Sequence, residues 1–263
     1  MEVVIRPTTE SAVKLTAAIL ADAVRAKPNL VLGLATGRTM EAVYAELAEM
    51  YRQEYLDFSL ARSFNLDEYI GLGPDNKNSY RYYMNYHLFN NINIDKRNTC
   101  LPNGLTDDVE GEGERYEELI KAAGGIDIQL LGIGRDGHIG FNEPLSSLAS
   151  RTRAKSLTPE TFEQNSPLFD RPEDMPKRAF TMGVGTILDS RNLLLLATGE
   201  EKADIIAAAI EGPVSSMITA SALQLHPHAV VILDEAAAAK LKSRRYCDWI
   251  FENEPKWAAY RSI

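Results

Sequence analysis

Ile126-Asp127-Ile128-Gln129-Leu130-Leu131-Gly132-Ile133 runs directly into Gly134-Arg135-Asp136-Gly137-His138. A short apolar run bounded by glycines reads as a buried strand, and a strand apolar on both faces belongs to a parallel sheet. Outward from it, residues 2–5, 30–34, 58–66, 192–198 and 229–233 carry further short apolar runs. Stretches with apolar residues at helical spacing separate them, at about 8–26, 40–50, 79–89, 113–123, 200–210 and 215–224, with a last helix beginning at Glu235. This alternation predicts an α/β fold, a mostly parallel sheet with helices on both faces. No repeat or linker divides the chain, so residues 1–263 read as a single domain. Residues 158–177 are polar and proline-bearing, and a polar stretch of that length in a compact domain predicts a lid or binding loop.

The bulk composition narrows the function. With 45% hydrophobic and 25% charged residues the chain is an ordinary globular one. Its 28 basic and 37 acidic residues give a net charge of −9, which argues against a nucleic-acid partner but leaves room for a small anionic ligand. The two cysteines, Cys100 and Cys247, fit no disulfide or metal spacing and suit a reducing compartment. No targeting segment or membrane span is expected, and the protein reads as cytoplasmic.

In an open parallel sheet, ligands bind beyond the carboxyl ends of the strands. The residues there are Ala35-Thr36-Gly37-Arg38-Thr39, Asp67-Glu68-Tyr69, Gly134-Arg135-Asp136-Gly137-His138, Thr198-Gly199-Glu200-Glu201-Lys202 and Asp234-Glu235. A glycine-rich turn, a carboxylate pair, a histidine between acids and a lysine would thus share one rim. The turn from Gly33 to Thr39 offers hydroxyls and free N–H groups to a phosphate, or is simply a tight turn and cap; it lacks the Gly-Lys-Ser/Thr ending of a nucleotide loop. Gly132-Ile133-Gly134-Arg135-Asp136-Gly137 has dinucleotide-binding spacing, but the broken His138-Ile139-Gly140-Phe141-Asn142-Glu143-Pro144 follows where a helix should open, so no such cofactor is expected.

His138 is the one of four histidines placed in a polar loop after a core strand. Flanking acids can orient it for proton transfer, although a surface histidine in a turn is the simpler reading. No ligand spacing predicts a metal. Of Asp67 and Glu68, one can move a carbon-bound proton while the other anchors structure, or both are caps or ion-pair partners. Lys202 can meet a phosphate or be solvated.

Phe64-Asn65-Leu66-Asp67-Glu68-Tyr69, Gly134 through Pro144, Ser147-Leu148-Ala149-Ser150-Arg151-Thr152-Arg153 and Gly183-Val184-Gly185-Thr186-Ile187-Leu188 together resemble the glucosamine-6-phosphate deaminase (glucosamine-6-phosphate isomerase) family. The likeness spans residues 4 to about 246. It implies a Rossmann-like sheet with a mobile lid at about 158–185, no cofactor and no metal. It also implies an aldose–ketose isomerisation coupled to deamination, which turns glucosamine 6-phosphate into fructose 6-phosphate and ammonium. Asp67 matches the base that carries a proton from C2 to C1, His138 the ring-opening group, and Asp136 and Glu143 the acids that orient it. Thr36, Gly37, Arg38, Thr39 and Lys202 match phosphate-binding positions. Ser146, Arg153, Lys155 and Tyr246 match a second, allosteric site for N-acetylglucosamine 6-phosphate in hexameric members.

The chain departs from the pattern twice. Pro167 stands where relatives carry a lid arginine, and Arg38 where they carry a small residue. Arg38 is expected to supply the missing guanidinium, with Arg171 as the competitor. Alternative readings are a 6-phosphogluconolactonase-like hydrolase, a sugar-phosphate-sensing domain, and a deaminase with altered amino-sugar specificity.

Overall fold

A computed structural model describes the whole chain, residues 1–263. The elements are, in order, β1 (Glu2–Arg6), α1 (Thr9–Ala26), β2 (Val31–Leu34), α2 (Arg38–Glu54), β3 (Arg62–Asn65), β4 (Asp67–Tyr69), α3 (Tyr80–Met84), β5 (Thr99–Cys100), α4 (Val109–Ala122), β6 (Ile128–Leu131), β7 (Arg153–Ser156), α5 (Pro159–Asn165), β8 (Arg178–Thr181), α6 (Val184–Leu188), β9 (Leu193–Ala197), α7 (Ala203–Glu211), β10 (Ala229–Asp234) and α8 (Arg244–Asn253).

Seven strands form one sheet in the order β1-β10-β9-β6-β2-β3-β5, and every neighbouring pair is parallel. The expected parallel α/β architecture is therefore present. From β2 the chain proceeds outward through β3 and β5, then returns to β6 on the other side and proceeds through β9 and β10. The β2–β6 boundary is thus the place where the strand order reverses, and connections diverge there to leave a crevice. Gly33 and Gln129 are register partners across this boundary. A Cβ on Gly33 would lie 2.0 Å from Gln129 Oε1, so the glutamine side chain occupies the space that glycine leaves. One apolar core of 60 buried residues runs through the sheet and its helices, which makes the chain a single folding unit.

A second sheet escaped the sequence reading. It is antiparallel, in the order β4-β8-β7. Leu66 joins the two sheets: its N–H donates to Leu34 O at 3.1 Å, and its carbonyl accepts from Met182 N–H at 2.6 Å. Under the small sheet Tyr69, Phe141, Phe169, Met175 and Ala179 form a separate apolar cluster.

Four local expectations are corrected. Residues 215–224 are not an α-helix. A bridge joins Ser215 to Ile218, and a 3-10 turn runs from Thr219 to Leu225. Ser221 bonds both the N–H and the carbonyl of Ser215, so the side chain takes groups a helix would use. No helix begins at Glu235; turns continue to Ser243, where the Glu211 carboxylate receives the Lys242 and Ser243 N–H groups ahead of α8. The 79–89 stretch is a short α-helix that widens into a π turn at Asn85–Phe89. Residues 158–177 hold α5 and two 3-10 turns rather than an irregular run. No helix is long and apolar enough to cross a membrane.

Candidate active site

A cavity of about 560 Å³ opens at the carboxyl ends of β2, β6 and β9 and beside the β3–β4 crossing. Thr36, Gly37, Arg38 and Thr39, Asp67, His138, and Thr198 and Lys202 line it together. Four of the five rim segments read from the sequence therefore converge. The fifth supports them from behind: Asp234 accepts Gly199 N–H at 3.1 Å and the Thr9 hydroxyl at 2.6 Å.

The loop after β6 is a series of tight turns, and no helix opens at its third glycine. Gly137 and Gly140 have φ of 86° and 57°, left-handed values that disfavour other residues. A Cβ on Gly134 would meet the His138 ring at 2.4 Å, so the ring lies against bare backbone. His138 Nδ1 stands 2.7 Å from Asp136 Oδ1 and 3.2 Å from Glu143 Oε2. Two carboxylate oxygens at one ring nitrogen call for a proton there, which leaves Nε2 to exchange protons with a ligand. Burial opposes the charge on His138, but its bonds to Asp136 and Glu143 prevail and carry its pKa to about 9. Asp136 is correspondingly held below the carboxylate range: burial works against its charge, and the bond to His138 outweighs it.

Asp136, His138 and Glu143 offer donor atoms within 4.8 Å of one another, a set that could hold a metal ion. The shared imidazole proton accounts for the same convergence without one.

The carboxylate pair divides its labour. Glu68 is an anchor: it accepts the N–H groups of Tyr69, Tyr80 and Arg81, each at 2.9 Å, and so fixes the start of α3. That fixes Tyr80, which lines the cavity. Asp67 makes no side-chain hydrogen bond although it is only 6% exposed. Burial, with a smaller contribution from Glu68, raises its pKa to about 8, and the His138 charge opposes the rise. A buried carboxyl poised near neutrality and free of partners is suited to proton transfer.

At the other end of the cavity, Gly37 precedes α2 as its N-cap with φ 114°, and no side chain caps the first N–H groups of the helix. Its 17 residues aim their N-terminus at the cavity, where an anion is favoured. Lys202 Nζ donates to Ile133 O at 2.8 Å. Burial, and the nearby Arg135 and Arg38, lower its pKa against the pull of Glu201 and Asp136. Neither Arg38 nor Arg135 has an ion-pair partner. Arg171, by contrast, pairs with Asp174 at 2.6 Å and lies outside the lining. Pro167 is also outside it; α5 contributes Gln164 and Asn165 instead.

The four second-site positions do not share one element: Arg153 and Lys155 are on β7 and Tyr246 is on α8. Arg153 Nη1 donates to Asn142 Oδ1 at 2.9 Å, and Asn142 Nδ2 donates to Ile139 O and Met182 O, so Arg153 braces the histidine loop from behind. The Ser146 hydroxyl is buried without a partner. Tyr246 is 67% exposed. No hydrogen bond joins Tyr246 to the others.

Sequence reasoning missed Arg135, Tyr80, Gln164 and Asn165 as cavity residues. Arg135 carried a usable signal, a cation beside Asp136 in the loop at a strand end. Tyr80 enters only through the Glu68 anchor, a contact with no trace in spacing.

Comparison with known proteins gives a consistent result. The family model described as glucosamine-6-phosphate isomerases/6-phosphogluconolactonase matches residues 7–234. A glucosamine-6-phosphate deaminase of Cellvibrio japonicus is 52% identical over 241 residues, 92% of this chain and 92% of its own. One of Hahella chejuensis is 50% identical over 250 residues, 95% of each chain. A solved structure of a monomeric glucosamine-6-phosphate deaminase superposes with TM-score 0.89 at 44% identity, over 91% of this chain and 100% of that one. A 6-phosphogluconolactonase from Trypanosoma cruzi superposes with TM-score 0.73 at 19% identity over 92% of this chain and 97% of that one, a likeness of fold alone.

The electrostatics of Asp67 make a stability prediction. A carboxyl raised from 3.8 to about 8 on folding keeps its proton where the unfolded chain has lost it, so stability falls as pH rises across that interval. Asp67→Asn is therefore expected to melt above the parent at pH 8, with the gap closing towards pH 4, by calorimetry across the same interval. A variant that melts at or below the parent at the upper end would refute burial as the cause.

Proposed function

The chain belongs to the family of glucosamine-6-phosphate isomerases and 6-phosphogluconolactonases, and we propose that within it the protein converts glucosamine 6-phosphate and water into fructose 6-phosphate and ammonium. The observation that carries this reading is the pairing of an unbonded, buried Asp67 with a doubly braced His138 in one cavity that ends in an uncapped helix and three cations.

In this reading the phosphate sits on the α2 N-terminus among Thr36, Gly37, Arg38, Thr39 and Lys202. His138 passes a proton to the ring oxygen as the pyranose opens, its charge held by Asp136 and Glu143. Asp67 takes the proton from C2 and returns it to C1, while the C1 oxygen gains the proton that the C2 amino group gives up, so the aldehyde becomes an alcohol and an imine is left at C2. Water adds to that carbon and ammonia departs, leaving the ketose. Each step needs only a positioned carboxyl and imidazole.

Purified protein given glucosamine 6-phosphate, with chelator present, should release ammonium and fructose 6-phosphate in equal amounts. The pH profile of kcat/KM should rise through about 8 as Asp67 loses its proton and fall through about 9 as His138 loses its own. No ammonium at any pH would overturn the reading.

Arg38 takes the role of the lid arginine absent at Pro167; it lines the cavity unpaired, whereas Arg171 is committed to Asp174. Arg38→Gly should raise KM for the phosphorylated sugar about tenfold, roughly 1.4 kcal/mol of binding, in steady-state assays. A change under about twofold would remove Arg38 from the site.

A homo-oligomer, with hexamers in mind, and a second site for N-acetylglucosamine 6-phosphate at Ser146, Arg153, Lys155 and Tyr246 belong to the same proposal. Tyr246 lies on the helix packed on β1 at one sheet edge, while the small sheet continues from β3 near the other, so a site using all four positions needs a second copy. The Arg153–Asn142 bond gives such a site a route to the histidine loop. A monomer by light scattering, with a saturation curve unmoved by the acetylated sugar, would dismiss it. Two free cysteines suit the cytoplasm as its compartment.

A further inference from the structure

Glu143 is only 3% exposed and has no lysine or arginine partner. Its Oε2 faces His138 Nδ1 at 3.2 Å, and its Oε1 accepts the Thr161 hydroxyl at 2.6 Å. The other donor to Oε1 is the Thr158 N–H at 3.4 Å, a long contact. A buried carboxylate keeps its charge only where donors replace water, and a hydroxyl at that distance is a strong donor. Thr161 and Thr158 form the first turn and cap of α5. The far end of that helix lines the cavity with Gln164 and Asn165, and Asn165 Nδ2 reaches Tyr69 Oη at 3.3 Å. One short helix therefore touches the ligand space at one end and the acid behind His138 at the other.

We propose that Thr161 is a positioning residue, whose hydroxyl ties the seating of α5 on the cavity to the Glu143 carboxylate and through it to His138. Its catalytic consequence rests on the deaminase reading; the link itself does not. A helix displaced from the cavity takes the hydroxyl with it, and the Glu143 carboxylate then loses the contact that holds its Oε2 toward His138 Nδ1. His138 is left with Asp136 as its principal anionic partner. The other charge acting on the imidazole is Asp67 on β4, while Lys202 acts on Asp136; Glu160 and Glu163, the acids of α5 itself, are exposed.

The test is a proton NMR titration of the histidine rings in the full-length protein without substrate. With four histidines in the chain, His138 is assigned by the resonance lost in His138→Gln. Thr161→Val should lower the His138 pKa by about half a unit or more, and Thr161→Ser should restore it to within about 0.2 unit. In Glu143→Gln the same valine substitution should add no further shift, because the link is already cut. In assays, the alkaline limb of kcat should move down with the titration in Thr161→Val. A folded Thr161→Val whose His138 titrates with the parent overturns the proposal; if the valine variant does not fold, Thr161→Ala is read by the same criterion. A shifted titration in a protein that releases no ammonium would keep the link and discard the deaminase reading.

Discussion

Leu66 carries the constraint on which the site depends. Its N–H closes the end of the large sheet on Leu34, and its carbonyl opens the small sheet on Met182. A residue bonded on both sides within two sheets has no rotational freedom to spare, and the next residue in the chain is Asp67. The same Met182 offers its own carbonyl to Asn142, which holds the loop of His138. The Asp67 carboxyl and the imidazole are thus spaced by backbone bonds in two sheets rather than by contacts between the two side chains. Geometry set by rigid elements is what proton transfer at fixed distance requires.

Against that rigid frame the charges are arranged at a loss to stability. Asp67 is buried without a donor, and Lys202 is partly desolvated with two guanidinium groups nearby. Neither arrangement would persist in a site selected for folding alone. The compensation is spread through the 60-residue core; the pKa of Glu68 is itself pushed up to about 7 by burial, against the pull of its three amide bonds. Adjacent carboxylates of like chemistry therefore differ in role because one has partners and the other has none.

Most of the large sheet was legible because its strands are apolar on both faces, as in Ile128–Leu131 and Leu193–Ala197. The rim was legible because turns after buried strands concentrate glycines and polar residues. The small sheet was not. Arg153–Ser156 is Arg-Ala-Lys-Ser, with no buried residue, and Asp67–Tyr69 is three residues long. Such strands exist through pairing, which no local period encodes. The helix expected at Glu235 failed for a related reason: Asp234 takes the Ala237 N–H as a helix cap would, but the Ala239 and Leu241 N–H groups bond three residues back, to Ala236 and Ala238, so the four alanines wind tight turns that do not propagate. At the site, Asp67, His138 and the turn from Thr36 to Thr39 could be read from position. Thr161 and Tyr80 could not, since a threonine in the first turn of a helix and a tyrosine at the start of another look the same whether or not they face a cavity.

The empty Cβ position of Gly33 has an evolutionary meaning. Gln129 fills that space from the neighbouring strand, fully buried, with its Nε2 bonded to Leu130 O. A larger residue at 33 has no room while the glutamine stays, and a smaller one at 129 leaves a hole while the glycine stays. The two positions are therefore expected to drift as a pair across descendants of this chain, each substitution permitted only on the background of the other, at the strand boundary where the ligand crevice begins.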